Sequence, residues 1–291
     1  MSFNPSARLD PSQVQDRRGR GGGAGPVLAG GGGLGVIVLV AALLLGVNPA
    51  DLVTPSTGVE YPQNGVAQTT QECQTGADAN QREDCRVVGF VNSIQEYWRG
   101  EFARRGRQYT PAQTVLFSGA TQSGCGAAQE AMGPFYCPDD GKVYLDLSFF
   151  QELSTRFGAR NGPFAEAYVV AHEYGHHVQN QLDLLGGGGA SQARGAQSGS
   201  VRIELMADCL AGVWARHAAD TGYLQAPTDQ DVADAMSAAA AVGDDRIQRQ
   251  TQGRVTPETF THGSAQQRQQ WFGTGYRSGD PTACNTTSGR V

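Results

Sequence analysis

Hydrophobic residues recur along this chain with two periods, and each period predicts a class of element. Over 163–182, Phe164, Ala167, Tyr168, Ala171, Gly175 and Val178 keep a helical spacing. Asn161 can cap this helix, Pro163 stands where a first-turn proline is tolerated, and the glycines at 186–189 stop it. A second helical pattern runs over about 198–220. A third, over 87–106, has Val88, Val91, Ile94, Tyr97, Trp98 and Phe102 on one face, placed to back the first helix. A fourth, 227–250, is capped by Thr228 or Asp229, ends near Gly253 and has an alanine-rich face for close packing. Between 114 and 149 the period changes to two, and Pro138-Asp139-Asp140-Gly141 separates two apolar runs, the signature of a hairpin. The pattern predicts a mainly helical α+β domain with a small β-sheet over 86–291.

The first part of the chain reads differently. Residues 1–25 are polar and glycine-rich, carry Arg8, Arg17, Arg18 and Arg20, and have too few large apolar residues for a core of their own, so a disordered cytoplasmic N-terminus is expected. From 26 to 48 there is no charge, and 34–47 is strongly apolar, which predicts a single transmembrane helix. A cleaved signal peptide is the alternative, but no clear A-x-A site follows. Arginines before the segment, with Asp51 and Glu60 after it, place the N-terminus in the cytoplasm and the rest outside the cell membrane. Residues 49–85, rich in Pro, Thr, Gln, Asn and Gly, then read as an extracytoplasmic stalk.

Composition narrows this further. The 291 residues suffice for one domain of about 200 residues plus accessories. A net charge of -6, with no basic run in the distal part, argues against nucleic acid as a partner. Many of the 40 glycines fall in 19–35 and 186–189 and mark linkers. The order of the six cysteines suggests Cys73 with Cys85, Cys125 with Cys137 and Cys209 with Cys284, among fifteen possible connectivities. An even count after an export segment fits an oxidising compartment. A thiolate zinc site lacks C-x2-C spacing, whereas Cys209 as a buried free thiol stays open.

The chemistry concentrates on the first two helices. His172, Glu173 and His176 stand as H-E-x-x-H, which puts two imidazoles one turn apart on one helical face, as a tetrahedral zinc site needs. His177 is rotated about 100° from His176 and should miss the ion. His177 and His217 receive no function. On the second helix Glu204 and Asp208 are also one turn apart. They lie among Ile203, Leu205, Met206, Leu210, Val213 and Trp214, so the acidic pair points inward, and a buried carboxylate needs a partner such as a cation. Two His and one acid with an open fourth position is the catalytic rather than the closed structural pattern.

HEYGHHVQ at 172–179 followed by ELMADCLAG at 204–212 resembles the neutral zinc metallopeptidases of bacteria, and the E-x-x-x-D element is similar to that of thermolysin-type zincins. GPFYCPDDGKVYLDLSFF and THGSAQQR extend the resemblance over about 87–284. It implies a zincin-like metallopeptidase domain, with Zn2+ held by His172, His176 and Glu204, Glu173 as general base and Asp208 behind a ligand histidine. It also implies that 133–137 lies near a strand edge able to pair with an extended substrate. His262, in a Thr-His-Gly-Ser loop, is the candidate oxyanion donor, with Tyr144, Tyr174 or Arg268 as replacements. The expected activity is therefore hydrolysis of peptide bonds in a peptide or protein substrate by a zinc metallopeptidase anchored in the membrane through its N-terminal helix. Two competing functions are a catalytically silent zinc-containing binding or regulatory module, against which the intact Glu173 speaks, and a zinc amidase acting on cell-wall peptides.

Overall fold

The computed structural model describes residues 2–19, 72–185 and 193–291. Its elements follow the two periods closely. The Pro138–Gly141 turn joins β5 (Phe135–Cys137) to β6 (Lys142–Asp146) as an antiparallel hairpin. Gly141 takes φ 66°, and its N–H donates to the Cys137 carbonyl at 2.9 Å. β2 (Gln113–Phe117) lies parallel to β6, and β1 (Val14–Asp16) lies parallel to β2, giving the order β1-β2-β6-β5. Strand alternation divides this sheet into two faces. Leu116, Tyr136, Val143 and Leu145 join the main core, whereas Val115, Phe117, Phe135 and Tyr144 form a second cluster. A two-stranded hairpin, β3 (Ala120–Ser123) with β4 (Gly126–Gln129), adds Ala128 to the second cluster and is tied to β5 by the Cys125–Cys137 disulfide.

Helices make up the other layer. α1 (Gly76–Gln81) and α2 (Glu83–Arg104) come between β1 and β2, α3 (Ser148–Thr155) follows β6, and α4 (Pro163–Gln181) packs on α2 and against α5 (Gly199–His217). α6 (Asp229–Ala241) and α7 (Asp244–Gln252) lead to α8 (Ala265–Ser278), which lies along α5. Their starts are chemically marked. Ser198 accepts from the Val201 N–H, and Thr228 with Asp231 and Ser264 with Gln267 form capping boxes. Two close approaches set the arrangement. A Cβ on Gly175 of α4 would lie 2.9 Å from both Cα and O of Ala207 on α5, and one on Gly275 of α8 would lie 1.9 Å from the Cys209 carbonyl oxygen. Only hydrogen at these positions lets the backbones meet.

Several boundaries differ from expectation. Gly162, not Asn161, occupies the cap position of α4, and the helix ends at Gln181 before the glycines, of which 186–189 lie outside the described residues. The single helix expected over 227–250 is two, broken at Gly243, where a Cβ would sit 2.3 Å from the Ala265 nitrogen. All three expected cysteine pairs form, and Cys209 is bonded to Cys284 rather than free.

The N-terminal expectations are corrected. Residues 2–19 are part of the folded body. Phe3 is buried against Phe90, with its ring over Gly89 where any Cβ would be 2.2 Å away, and Leu9 and Val14 join the core. Asn92 pairs with both backbone groups of Asp10, and β1 extends the sheet. Residues 72–85, expected in a stalk, supply α1 and the Cys73–Cys85 disulfide of the same body. A helix crossing a membrane once between these two parts would put them on opposite sides, yet they share one core. No helix among the described residues is long and apolar enough to cross a membrane, and the expected span 26–48 lies outside them. The single-pass topology, the cell-membrane localisation and the membrane as a partner through an N-terminal helix are therefore withdrawn.

Candidate active site

α4 and α5 meet at Gly175 and Ala207, and this contact faces His172 and His176 toward Glu204. One ligand atom from each lies within 4.8 Å of the others, and all three residues are buried. Hydrogen bonds behind the rings decide which nitrogens face inward. Gln179, three residues after His176, donates its Nε2 to the Ile203 carbonyl at 2.7 Å, so its Oε1 must accept from His176 Nδ1 at 2.8 Å. His176 Nε2 is then a bare lone pair, buried without a hydrogen-bond partner and 3.5 Å from Glu204 Oε1. His172 Nδ1 lies 2.8 Å from Asp208 Oδ1, which turns Nε2 toward Glu204 Oε2 at 3.1 Å. The converging atoms are acceptors that repel one another unless a cation or a proton lies among them. This donor set, closed off behind by Gln179 and Asp208, fits zinc.

Electrostatics agree with that fit. Burial alone lowers the His172 pKa, but Asp208 and Glu204 outweigh it and push it up to about 9. Burial opposes ionisation of Glu204 as well, yet His176, His262 and His172 hold its carboxyl well below the usual range. Burial pushes Glu173 up. Its Oε2 has no hydrogen-bond partner, and its side chain lines the same cleft of about 170 Å3.

Asp208 is fully enclosed and takes four donors. Tyr168 Oη donates to it at 2.5 Å and His172 Nδ1 at 2.8 Å, while Arg268 binds through Nε at 2.8 Å and Nη2 at 3.0 Å. The carboxylate therefore stays ionised despite its burial, held down by Arg268 and His172. The sequence places Tyr168 only among the core positions of its helix and assigns Gln179 no role, so neither is expected at the site. Their signal was nonetheless present, one position four residues before His172 and the other three after His176. Arg268, expected only as a substitute donor, is an Asp208 partner at the cleft wall.

His262 lines the cleft, with Nδ1 3.3 Å from Asp244 Oδ1. Of the other proposed donors, Arg268 lines the same cleft, but Tyr144 and Tyr174 do not reach it. Tyr144 Oη donates to Asp140 at 2.7 Å in the second core cluster, and Tyr174 Oη lies between Thr114 and the Ala112 carbonyl. His177 turns to the sheet, donating from Nε2 to the Thr110 carbonyl at 2.8 Å and accepting at Nδ1 from Tyr136 Oη at 3.1 Å. His217 binds Asp220 and stacks on Tyr97. Among the described residues one other cluster has ligand spacing, Cys73, Asp84 and Cys85, but its cysteines are joined to each other.

Two imidazoles from one helix, each fixed from behind, and a carboxylate from the next make a buried site that could hold a metal ion. The chain belongs to the family Putative neutral zinc metallopeptidase, whose family model matches residues 5–287. It is similar to the uncharacterized protein Rv2575 of Mycobacterium tuberculosis, at 51% identity over 255 residues covering 85% of each chain. It is also similar to the uncharacterized protein YpfJ of Escherichia coli, at 40% identity over 290 residues covering 96% of each. No solved structure matches the chain. Zinc is the metal of this family, and His172, His176 and Glu204 make a site that could bind it.

Proposed function

We propose that this chain is a zinc peptidase that hydrolyses peptide bonds, with His172, His176 and Glu204 as the metal ligands and Glu173 as the general base. The observation that carries the reading is the pair of buried atoms with no partner, His176 Nε2 and Glu173 Oε2, in one cleft. A buried polar atom without a hydrogen bond costs about 1–3 kcal/mol, and here two such costs coincide at one place. Zinc, when bound, supplies a Lewis acid that polarises a carbonyl and makes water a stronger acid. Glu173 Oε2 takes a proton from the attacking water and passes it to the leaving amine. Burial favours this role, because a carboxyl with a raised pKa holds a proton more readily than an exposed one. Asp208 keeps the His172 ring in one orientation, and Arg268 and Tyr168 keep Asp208 in place. His262 presents a ring nitrogen to the substrate oxyanion.

The test uses the purified full chain, its zinc content measured, against a mixed library that contains both linear peptides and cell-wall-type peptides. Cleavage abolished by a chelator and restored by zinc supports the reading. Full zinc occupancy with no cleavage of any member would favour a binding module instead, and cleavage confined to cell-wall peptides would favour an amidase.

A further inference from the structure

Residues 130–134 line the cleft together with the metal-site residues of α4 and α5. They are carried by the second core cluster and not by the main one. Met132 packs against that cluster, which includes Ala128, Phe135 and Cys137 and has Cys125 packed against it. His172, Glu173 and His176 instead stand on α4, whose apolar residues belong to the main core. The cleft thus has a wall and a metal site with separate foundations.

The wall follows directly on β4, and the β3–β4 hairpin pairs with no other strand among the described residues. A lone two-stranded hairpin is marginally stable in water. Its polar links to the body include the Gly124 N–H on Asp140 Oδ2 at 2.8 Å and Arg17 Nη1 on the Gln122 carbonyl at 3.1 Å. The wall itself has the Glu130 N–H on the Gly119 carbonyl at 2.7 Å and Ser148 Oγ on Glu130 Oε1 at 3.1 Å. Three of these four bonds lie at exposed positions, where water competes for them. The Cys125–Cys137 bridge joins the turn of the hairpin to the end of β5, and the ring that it closes contains all of 130–134.

This bridge is also the one within reach of a reductant. Cys73, Cys85, Cys137, Cys209 and Cys284 are buried, whereas Cys125 is only partly so. We propose that the Cys125–Cys137 disulfide is a latch on the substrate-binding wall of the cleft, open to a dithiol at Cys125, and that reducing it weakens substrate binding without disturbing the metal ligands. The proposal rests on the reading of the cleft as that of a peptidase. A thiolate of the dithiol attacks the Cys125 sulfur, forming a mixed disulfide and expelling the Cys137 thiolate, which takes up a proton. The second thiol of the dithiol then attacks its own partner sulfur in the mixed disulfide and releases Cys125 as a thiol. Two electrons and two protons pass to the protein, and the dithiol leaves as a cyclic disulfide. With the ring open, a substrate has to order the wall as it binds, a cost that appears in KM.

In the zinc-loaded full chain, brief treatment with dithiothreitol followed by alkylation should label Cys125 and Cys137 before the other four cysteines. Hydrogen exchange over 126–134 should then speed up while that of α4 and α5 does not, with zinc content retained. Toward the linear peptide that the parent cleaves fastest in the mixed library, KM should rise about 10-fold, the cost of ordering one or two side chains on binding, at nearly unchanged kcat. A Cys125→Ala, Cys137→Ala double variant should show the same exchange and KM without reductant and no further change with it. If it fails to fold, the reduced and alkylated parent decides alone. Unchanged exchange over 126–134 once this bridge is reduced would overturn the proposal, as would earlier labelling of another pair, a fall in kcat with KM unchanged, or loss of zinc. A parent that holds zinc but cleaves nothing would remove the peptidase reading, and labelling order with exchange would then uphold or overturn the latch.

Discussion

The two sides of α4 carry adjacent histidines with opposite surroundings. Toward the cleft, His176 has one nitrogen bonded to Gln179 and the other buried and bare, beside a glutamate with an equally unpaired oxygen. Toward the sheet, His177 has both nitrogens bonded, its neighbour Tyr174 is anchored to Thr114, and Tyr136 links the strand to the helix through His177 and Asn180. Both sides are buried, so burial does not separate them. Completeness of hydrogen bonding does. A side chain whose polar atoms are all matched holds the fold together, whereas one with a vacancy facing a cleft is shaped for something that arrives later.

Removing the carboxylate that completes the cleft side should have the largest effect. Glu204→Ala leaves two imidazoles with no anionic partner, and elemental analysis should find little zinc and turnover near background. Zinc of unchanged stoichiometry and affinity would take Glu204 out of the ligand set.

Glu173→Gln comes next. It preserves shape while removing the base, so zinc should stay and turnover should fall by about 10² to 10⁴, as for general acid-base catalysis. Near-normal turnover would contradict the role.

His177→Phe tests the other side. It leaves the buried Tyr136 hydroxyl without the ring nitrogen that accepts its proton, a loss of about 1–3 kcal/mol for a buried group left unpaired. Chemical denaturation should show the loss while zinc binding stays intact. A variant that keeps its stability but loses zinc would reverse the distinction between the two sides.

The smallest effect concerns pH. Burial lowers the His177 pKa below its ordinary 6.5, with the Thr110 carbonyl opposing weakly. The folded form then binds this proton less readily than the unfolded one, so the contribution to stability is complete above the unfolded value and is lost as pH falls through it toward the folded value. Melts from pH 7.5 downward should show that slope in the parent and its reduction in His177→Phe. Identical slopes would assign the acid sensitivity to other groups.

Local spacing made much of this legible in the sequence. Two helical pairs at i and i+4 marked residues that the fold brings together, the Pro-Asp-Asp-Gly turn announced β5 and β6, and the order of cysteines matched the disulfides. What sequence reading missed depends on distant partners. The strand Val14–Asp16 is three residues long and pairs with residues about a hundred positions away, and Phe3, Leu9 and Val14 are too widely spaced to show a period. Polar, glycine-rich composition was taken for disorder, although these three anchors each find a prepared seat. The same holds for Asp244 and Arg268. Helical spacing says where a side chain lies on its own element, but which partner it meets is settled only when α8 comes against α5 and α7 against the 261–263 turn.

The described residues break off at Gly19 and resume at Glu72, and these two ends are fastened at one spot. Arg18 and Arg82 bind Asp84, Glu72 binds Arg82, and Cys73 is bonded to Cys85 beside them. Both described ends are thus held by one knot of charges and a covalent bridge at the start of α2. This knot anchors α2, and α2 packs on α4, so a single helix separates it from the α4–α5 contact that brings the cleft residues together.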